Sequence, residues 1–299
     1  MNFDVEMKER VHDIEARLQK FLPEEAGYQK TVFQAMNYSV NAGGKRLRPM
    51  LMLEVYHMFG GTDEALIEPF VAAIEMIHTY SLVHDDLPAL DNDEYRRGKK
   101  TTWAVYGDDM AVLAGDALLN YAFETAVKAF DVAKDGESFK AVARALQLLT
   151  QKPGIYGMIG GQVVDVELSG CAPGKDVLDF IYLMKTSALI ECAMMVGAVL
   201  AGADEASVKA IETIARKTGL AFQIEDDILD VTSSLEVLGK PIHSDEKNEK
   251  TTYVTLYGIE GAQKEVERLS AEAIDSLRKL GGADTFLEAL LVYLIHRKK

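Results

Sequence analysis

Two clusters of aspartates are the residues of this 299-residue chain whose types and spacing best suit chemistry. DDLPALD begins at Asp85 and DDILD begins at Asp226, each after a strongly apolar stretch that includes Ile77 or Ile224. Carboxylates this close repel one another unless cations bind them, and hard oxygen ligands suit Mg²⁺ shared with substrate phosphates. A single such run is more often a solvated helix face, but two runs attached to core helices argue against that alternative. The sequence therefore predicts a polyphosphate held between two helices.

The second cluster has the spacing of a helix face that can hold an ion. Asp226 and Asp230 are four residues apart and share one face of a helix, whereas Asp227 points elsewhere. Gln223 precedes Asp226 by three residues and is expected on the same helix. Two carboxylates on one face can reach one cation together.

The first cluster is expected to fold back on itself. Pro88 should end the helix after Asp86, because proline disfavours the helical conformation of the residue before it. Asp91 would then return from the following loop to join Asp85. Residues 91–102 should be irregular, and loops placed in this way commonly carry or cover a site.

Two arginines follow the first cluster directly. In RRGKKT, Arg96 and Arg97 place guanidinium groups beside the predicted metal site. A guanidinium is the side-chain group best shaped to clamp phosphate oxygens with two hydrogen bonds. Such a charge run is otherwise usually an exposed surface, so its position beside the carboxylates is what favours phosphate binding.

The stretch NAGGKRLRP has the pattern of a glycine turn that runs into a helix. Pro49 suits the first helical turn, where backbone N–H groups can bind an anion, and Lys45 and Arg48 add positive charge. The GxxxxGK[ST] spacing does not occur here, which disfavours ATP-type binding. A plain basic turn is the alternative.

Lys185 and Thr186 interrupt the apolar run IYLMKTSALIECAMM. A lysine among core residues costs free energy unless an anion or another partner meets it, although its ammonium could instead reach the surface. On the first interpretation Lys185 converges on the same phosphates as Lys240, which lies in the loop beyond the second cluster.

Composition restricts the class of protein. A net charge of −15 argues against a nucleic-acid partner, whereas the basic stretches favour a small anionic guest. Only Cys171 and Cys192 occur, and the N-terminal segment has no apolar signal core, so we expect a cytoplasmic protein without a disulfide framework. The apolar residues 187–203 contain Glu191 and are expected to form a buried core helix and not a membrane span.

Apolar positions recur at intervals of three and four along nearly the whole chain. No alternating strand pattern bounded by hairpin turns stands out, so the sequence predicts an all-α protein with about a dozen helices. No linker is marked by composition, and the two aspartate clusters need each other. We therefore expect residues 1–299 to form one domain.

Taken together, the motifs resemble the trans-isoprenyl diphosphate synthase (polyprenyl synthetase) family, most closely its bacterial farnesyl diphosphate synthases. The resemblance covers essentially the whole chain and rests on GGKRLRP, IHTYSLVHDDLPALDNDEYRRGKKT, AGDALL, GGQVVD, MKTSALI, QIEDDILD, LGKP and KTTYV, in the family's order and spacing. It implies a homodimer of isoprenoid synthase-type helical bundles, each around a central cavity. There, isopentenyl diphosphate would condense with dimethylallyl or geranyl diphosphate to give farnesyl diphosphate. It also implies three Mg²⁺ ions per site, for which Mn²⁺ could substitute.

The resemblance assigns a role to each candidate residue. The implied metal ligands are Asp85, Asp91 and Asp226, supported by Asp86, Asp227 and Asp230. The implied allylic diphosphate clamp is Arg96, Lys185 and Lys240. The implied isopentenyl diphosphate site is Gly44, Lys45, Arg48, His78 and Arg97. The residues implied to stabilise the developing cation or to close the site are Thr186, Gln223, Lys250 and the C-terminal residues 297–299.

Product length is expected to depend on Tyr80 and Ser81. The family sets its cavity floor with the residues five and four positions before the first aspartate, and a tyrosine at the deeper position should block elongation past fifteen carbons. The spacer LPAL is likewise similar to the bacterial farnesyl type. One departure from the family is His243, which stands where a glycine is usual and adopts positive φ less readily.

Three alternatives stand beside this interpretation. A geranylgeranyl diphosphate synthase belongs to the same family. A terpene cyclase usually replaces the second aspartate cluster with an Asn/Ser/Glu pattern, and QIEDDILD argues against it. A non-catalytic regulatory subunit commonly loses aspartates or the arginine pair, and this chain keeps both.

Overall fold

The computed structural model describes residues 2–232, 251–283 and 285–295. Its elements are α1 (Phe3–Gln19), α2 (Lys30–Val40), α3 (Leu47–Met58), α4 (Glu64–Asp85), β1 (Tyr95–Arg96), β2 (Lys99–Lys100), α5 (Thr102–Tyr106), α6 (Asp108–Ala126), α7 (Ala129–Val132), α8 (Gly136–Gln151), α9 (Met158–Glu167), α10 (Lys175–Ile181), a π-helical segment (Tyr182–Ser187), α11 (Ala188–Leu200), α12 (Glu205–Thr232), α13 (Tyr253–Lys279) and α14 (Phe286–Ile295). The predicted all-α class is confirmed.

The core is centred on α4 and α11. Every residue of α11 is buried, and α11 packs closely on α3 because Gly197 has no side chain. A Cβ at Gly197 would lie 2.3 Å from the carbonyl oxygen of Met52. A second apolar cluster joins α10, the π-helical segment, α12 and α13. These contacts fix the helices that carry both aspartate clusters.

Two helical stretches, Glu64–Asp85 and Lys175–Leu200, are long and apolar enough by composition to cross a membrane. In each, 78% of the apolar window is buried inside the protein. This burial is what the helices at the centre of a helical bundle require, and it agrees with the core helix expected over residues 187–203.

A small hairpin occupies residues that the sequence pattern predicted to be irregular. Strands β1 and β2 pair antiparallel, with Tyr95 opposite Lys100, and both turn residues have positive φ, 54° at Arg97 and 75° at Gly98. Two consecutive residues of this kind form the turn that matches the twist of paired strands. Strands of two residues are too short to show alternation, which is why the prediction of a wholly irregular segment was wrong.

The first aspartate cluster folds back as expected. Helix α4 ends at Asp85, followed by Asp86 as its C-terminal cap. The backbone N–H of Asp91 donates a hydrogen bond to the carbonyl of Asp85 at 2.9 Å. The two ends of the motif are thereby held together by the main chain.

The segment that carries Lys185 and Thr186 is π-helical, so each hydrogen bond along its backbone spans one residue more than in an α-helix. Two glycines let neighbouring helices approach it. A Cβ at Gly161 of α9 would lie 2.3 Å from the backbone nitrogen of Lys185, and one at Gly219 of α12 would lie 2.4 Å from Ser187 Oγ. Turns of this type are frequent at functional sites.

Candidate active site

A cavity of about 640 Å³ runs from the end of α4 along α9. It brings together residues far apart in sequence, because α4, α9 and the π-helical segment each present one side to it. Its lining includes these sequence-predicted residues: Arg48, His78, Tyr80, Ser81, Asp85, Lys185 and Thr186.

A smaller cavity, of about 90 Å³, adjoins the second aspartate cluster. Gln223 and Asp227 line it, and so do Lys185 and Thr186. Because these last two residues line both cavities, the π-helical segment is where the walls carrying the two aspartate clusters meet. The hydroxyl of Thr186 donates to Oε1 of Gln223 at 2.7 Å, which ties that segment to α12.

Helix α9 contributes two side chains that the sequence-based assignment did not include. Gln162 Nε2 donates to Oδ1 of Asp85 at 3.0 Å, and Lys185 Nζ lies 2.6 Å from Oδ2 of Asp165. Both residues belong to the motif GGQVVD, so the signal was present in the sequence. Their role depends on α9 packing against the π-helical segment and reaching Asp85 of α4 through Gln162, which helical periodicity does not reveal.

Asp86 and Arg96 form an ion pair at the rim of the site. Nη2 and Nε of Arg96 lie 2.6 and 2.7 Å from Oδ1 of Asp86, and Asp93 lies 3.8 Å from the same guanidinium. Burial raises the pKa of Asp86 to about 6, although the adjacent Arg96 opposes that shift. Arg96 is thus held next to the first aspartate cluster, as its sequence position suggested.

Asp227 lies inside the helical core. Its Oδ2 accepts hydrogen bonds from the hydroxyl of Tyr182 at 2.6 Å and from the backbone N–H of Tyr253 at 3.0 Å. These contacts connect the second cluster to the π-helical segment and to the first residue of α13. Asp226 is half-buried and Asp230 buried on α12. Metal binding by all three remains a prediction.

A further group of residues, Arg48, His78 and Arg97, lies around the glycine turn before α3. The guanidinium of Arg97 donates to the carbonyl of Gly43 and fills the space beside Gly44, where a Cβ would lie 2.5 Å from its Nη1. Burial lowers the pKa of Arg48 to about 10, and the positive charge of Arg97 contributes to this shift. Burial, followed by the nearby arginines, holds the pKa of His78 well below 6.5. His78 is therefore neutral at pH 7.

Lys45, unlike Arg48, His78 and Arg97, lies next to the C-terminal helix. Its Nζ lies 5.4 Å from the ring centroid of Tyr293 on α14, within range of a cation–π contact. The C-terminal helix thereby reaches the glycine turn. The residues that follow it, 297–299, lie outside the described residues, as do Lys240, His243 and Lys250.

The two aspartate clusters offer the donors that Mg²⁺ prefers. Asp85 lines the larger cavity, and Asp91 and Asp226 offer further carboxylate oxygens. Across residues 2–232, 251–283 and 285–295, no three acidic, histidine or cysteine side chains converge on one point. Mg²⁺ is commonly bound by one or two carboxylates together with substrate phosphates.

Tyr80 lies on the cavity wall, one and a half helical turns before Asp85. It is only 5% exposed, and its ring meets that of His84 edge to face at 5.8 Å between centroids. Within the described part of the chain its hydroxyl has no hydrogen-bond partner. Burial and the charge of Asp85 raise the pKa of this phenol to about 12. The phenol is therefore neutral at pH 7.

Comparison with known proteins identifies the family of this chain. A family model described as polyprenyl synthetase matches residues 29–281. A geranylgeranyl diphosphate synthase from Cyanophora paradoxa is 42% identical, over 97% of this chain and 94% of the relative. A farnesyl diphosphate synthase from Geobacillus stearothermophilus is 40% identical, over 93% and 91%. The solved structure of a geranyltransferase from Helicobacter pylori, complexed with magnesium and isoprenyl diphosphate, has a TM-score of 0.84 and 32% identity, covering 99% of this chain and 97% of that one.

The fold and the site define an all-helical enzyme that presents carboxylates and cations around an elongated cavity. The chain belongs to the polyprenyl synthetase family. The relatives support prenyltransferase activity, and the family together with the magnesium-containing neighbour indicates dependence on Mg²⁺.

Proposed function

We propose that the protein condenses isopentenyl diphosphate with dimethylallyl or geranyl diphosphate and releases farnesyl diphosphate. The observation that carries this proposal is the position of Tyr80 on the wall of the cavity, five residues before Asp85. A prenyl chain bound with its diphosphate at Asp85 extends toward that ring. Each added isoprene unit brings the tail closer to Tyr80, and a fourth unit would need the space that the ring fills.

The allylic diphosphate is assigned to the side of the site that holds both aspartate clusters. Asp85, Asp91 and Asp226 would hold Mg²⁺, three ions by family analogy, with Mn²⁺ as a substitute. Bound Mg²⁺ would supply Lewis-acid stabilisation of the departing diphosphate. Arg96 and Lys185 add hydrogen-bond donors and positive charge to the same phosphates.

The reaction breaks the bond between the allylic C1 and the diphosphate oxygen and leaves an allylic cation. The double bond of isopentenyl diphosphate attacks C1, a new carbon–carbon bond forms, and the proton lost from C2 goes to the diphosphate. The oxygen dipoles of Thr186 and Gln223, joined at 2.7 Å beside Lys185, would stabilise the cation. The apolar lining of the cavity keeps water away from it.

Isopentenyl diphosphate is assigned to Arg48, His78 and Arg97 beside the glycine turn, with Lys45 at its edge. Neutral His78 can donate one hydrogen bond without adding charge. Arg48 faces the same cavity as Asp85, so the double bond can lie next to the allylic C1.

A geranylgeranyl diphosphate synthase is the second candidate. The relative from Cyanophora paradoxa carries that description at 42% identity over nearly the whole chain. The two candidates differ only in where elongation stops.

A product assay distinguishes them. The protein is incubated with Mg²⁺, geranyl diphosphate and excess isopentenyl diphosphate, and the prenyl alcohols are identified after phosphatase treatment. Farnesol as the main product supports the proposal. Geranylgeraniol as the main product supports the second candidate, and no condensation product at all contradicts both.

We also propose that the protein works as a homodimer. Val112 and Leu113 on α6 are 42% and 53% exposed, an apolar surface that a second copy would cover. Sedimentation velocity at micromolar concentration should give twice the monomer mass, and a monomer under those conditions would contradict this part of the proposal.

A further inference from the structure

A buried ion pair lies next to the isopentenyl diphosphate site proposed above. Arg46 Nη1 donates to Oε1 of Glu75 on α4 at 2.7 Å, and both side chains are only 2% exposed. Nη2 of Arg46 donates to the carbonyl of Val40 at 2.7 Å, and Glu15 lies 3.5 Å from the same nitrogen. Removing two charges from water is costly, and apolar residues in their place are often as stable. Stability alone therefore does not account for the pair.

The ion pair lies beside Arg48, His78 and Arg97, the residues proposed to bind isopentenyl diphosphate. The negative charge of Glu75 favours the charged forms of Arg48 and Arg97, whereas Arg97 disfavours that of Arg48 and Arg46 disfavours that of Arg97. His78 lies one helical turn after Glu75 on α4. In the described part of the chain, four buried polar atoms here have no hydrogen-bond partner: Arg46 Nε, Arg48 Nε, Glu75 Oε2 and His78 Nδ1. Buried polar groups without partners are uncommon, and a ligand is one explanation for them.

The pair also holds the glycine turn. Arg46 itself has a left-handed backbone, with φ of 49°, at the N-terminal cap of α3. Gly43 and Gly44, directly before it, have φ of 89° and 138°. Arg97 rests on this turn through its bond to Gly43 and its contact with Gly44. A shift of Arg46 would move the turn and the guanidinium that lies on it.

We propose that Glu75 is a positioning residue for isopentenyl diphosphate. It anchors Arg46, and with it the glycine turn that supports Arg97, so that this guanidinium is in place before the anionic substrate binds. The assignment of these arginines to isopentenyl diphosphate rests on the proposed function.

The test compares steady-state kinetics of Glu75→Gln with those of the wild type. We expect the KM for isopentenyl diphosphate to rise about tenfold or more, the scale of one charged hydrogen bond. The KM for geranyl diphosphate and kcat at saturating isopentenyl diphosphate should change less than about twofold. Glu68→Gln is the matched control on the same helix. Oε1 of Glu68 lies 2.8 Å from Nζ of Lys20, and Glu68 does not line the cavity. It should leave all three constants unchanged.

A second variant separates positioning from packing. Replacing both partners, with Arg46→Met and Glu75→Leu, removes the charges without leaving either one unpaired, so the fold should persist. Calorimetry should show isopentenyl diphosphate binding at least about tenfold more weakly than in the wild type. Unchanged affinity in this variant, or equal weakening of both substrates, would overturn the proposal. Because calorimetry needs no turnover, a wild type that binds isopentenyl diphosphate but makes no product would refute the proposed function alone.

Discussion

Asp85 connects the first aspartate cluster with helix α9. It ends α4, its backbone carbonyl accepts the N–H of Asp91, and its carboxylate accepts a hydrogen bond from Gln162 of α9. The aspartate spacing was readable in the sequence because four-residue intervals and a following proline have direct structural consequences. Gln162 and Asp165 were not assigned, because the motif GGQVVD that contains them does not itself show that α9 reaches Asp85 and Lys185.

Asp85→Asn keeps the size and shape of the side chain and removes its charge. If the carboxylate holds a cation at the departing diphosphate, kcat should fall roughly a hundredfold or more. The far-ultraviolet circular dichroism and the unfolding midpoint should stay close to those of the wild type. Asp275→Asn, at an exposed pair with Lys279, is the matched control and should keep full activity. An Asp85→Asn enzyme of normal turnover would contradict the assignment.

His78 makes the stability of the fold depend on pH. Burial and the surrounding arginines hold its pKa well below 6.5 in the folded protein. The unfolded chain takes up a proton below pH 6.5 that the folded chain does not, so this residue reduces stability as pH falls. His78→Gln removes that effect. Between pH 7.5 and 5.5 the wild type should lose about 1 kcal/mol more unfolding free energy than the variant, measured by urea titration. Equal losses of unfolding free energy in the wild type and the variant would mean that His78 titrates normally.

The π-helical segment is the element on which the site depends most. It carries Lys185 and Thr186, and α9 and α12 approach it at Gly161 and Gly219. The sequence predicted a buried helix here and identified the polar interruption, but not the wider turn. A π turn depends on the packing of neighbouring helices, and that packing involves residues far away in sequence. The two-residue strands of the hairpin were missed for a different reason, because strands so short give no periodic signal.

Gly161→Ala tests the contact between α9 and this segment. The added methyl would lie 2.3 Å from the Lys185 nitrogen and 2.7 Å from Met184 Cβ, so α9 must move outward. We expect a loss of about 1–3 kcal/mol in unfolding free energy and a clear fall in kcat, because Gln162 and Asp165 would move with the helix. Gly136→Ala is the control, since no atom lies within 4 Å of its Cβ position. Equal stability and activity of the two variants would show that the contact is not needed.

At the scale of the whole molecule, the sequence alone predicted the helical class and a polyphosphate held between two helices. The family resemblance supplied the central cavity with the aspartate clusters on opposing walls. Periodicity could not place α9 beside the cavity, because it reports which face of a helix is buried and not which neighbour covers it. The cavity is where residues from α4, α9 and the π-helical segment meet, so its shape is a property of the assembled bundle. On the proposed function, product length is in turn a property of that shape.

Product chromatography of three enzymes tests the central claim that Tyr80 closes the cavity of a farnesyl diphosphate synthase. Wild type, Tyr80→Ala and Tyr80→Phe are each supplied with Mg²⁺, geranyl diphosphate and excess isopentenyl diphosphate. Wild type should stop at fifteen carbons. So should Tyr80→Phe, since the phenol hydroxyl has no hydrogen-bond partner among the described residues and only the ring fills the space. Tyr80→Ala should make products of twenty carbons or more. A folded, active Tyr80→Ala enzyme that still stops at fifteen carbons, or a wild type that already makes twenty, would contradict the account.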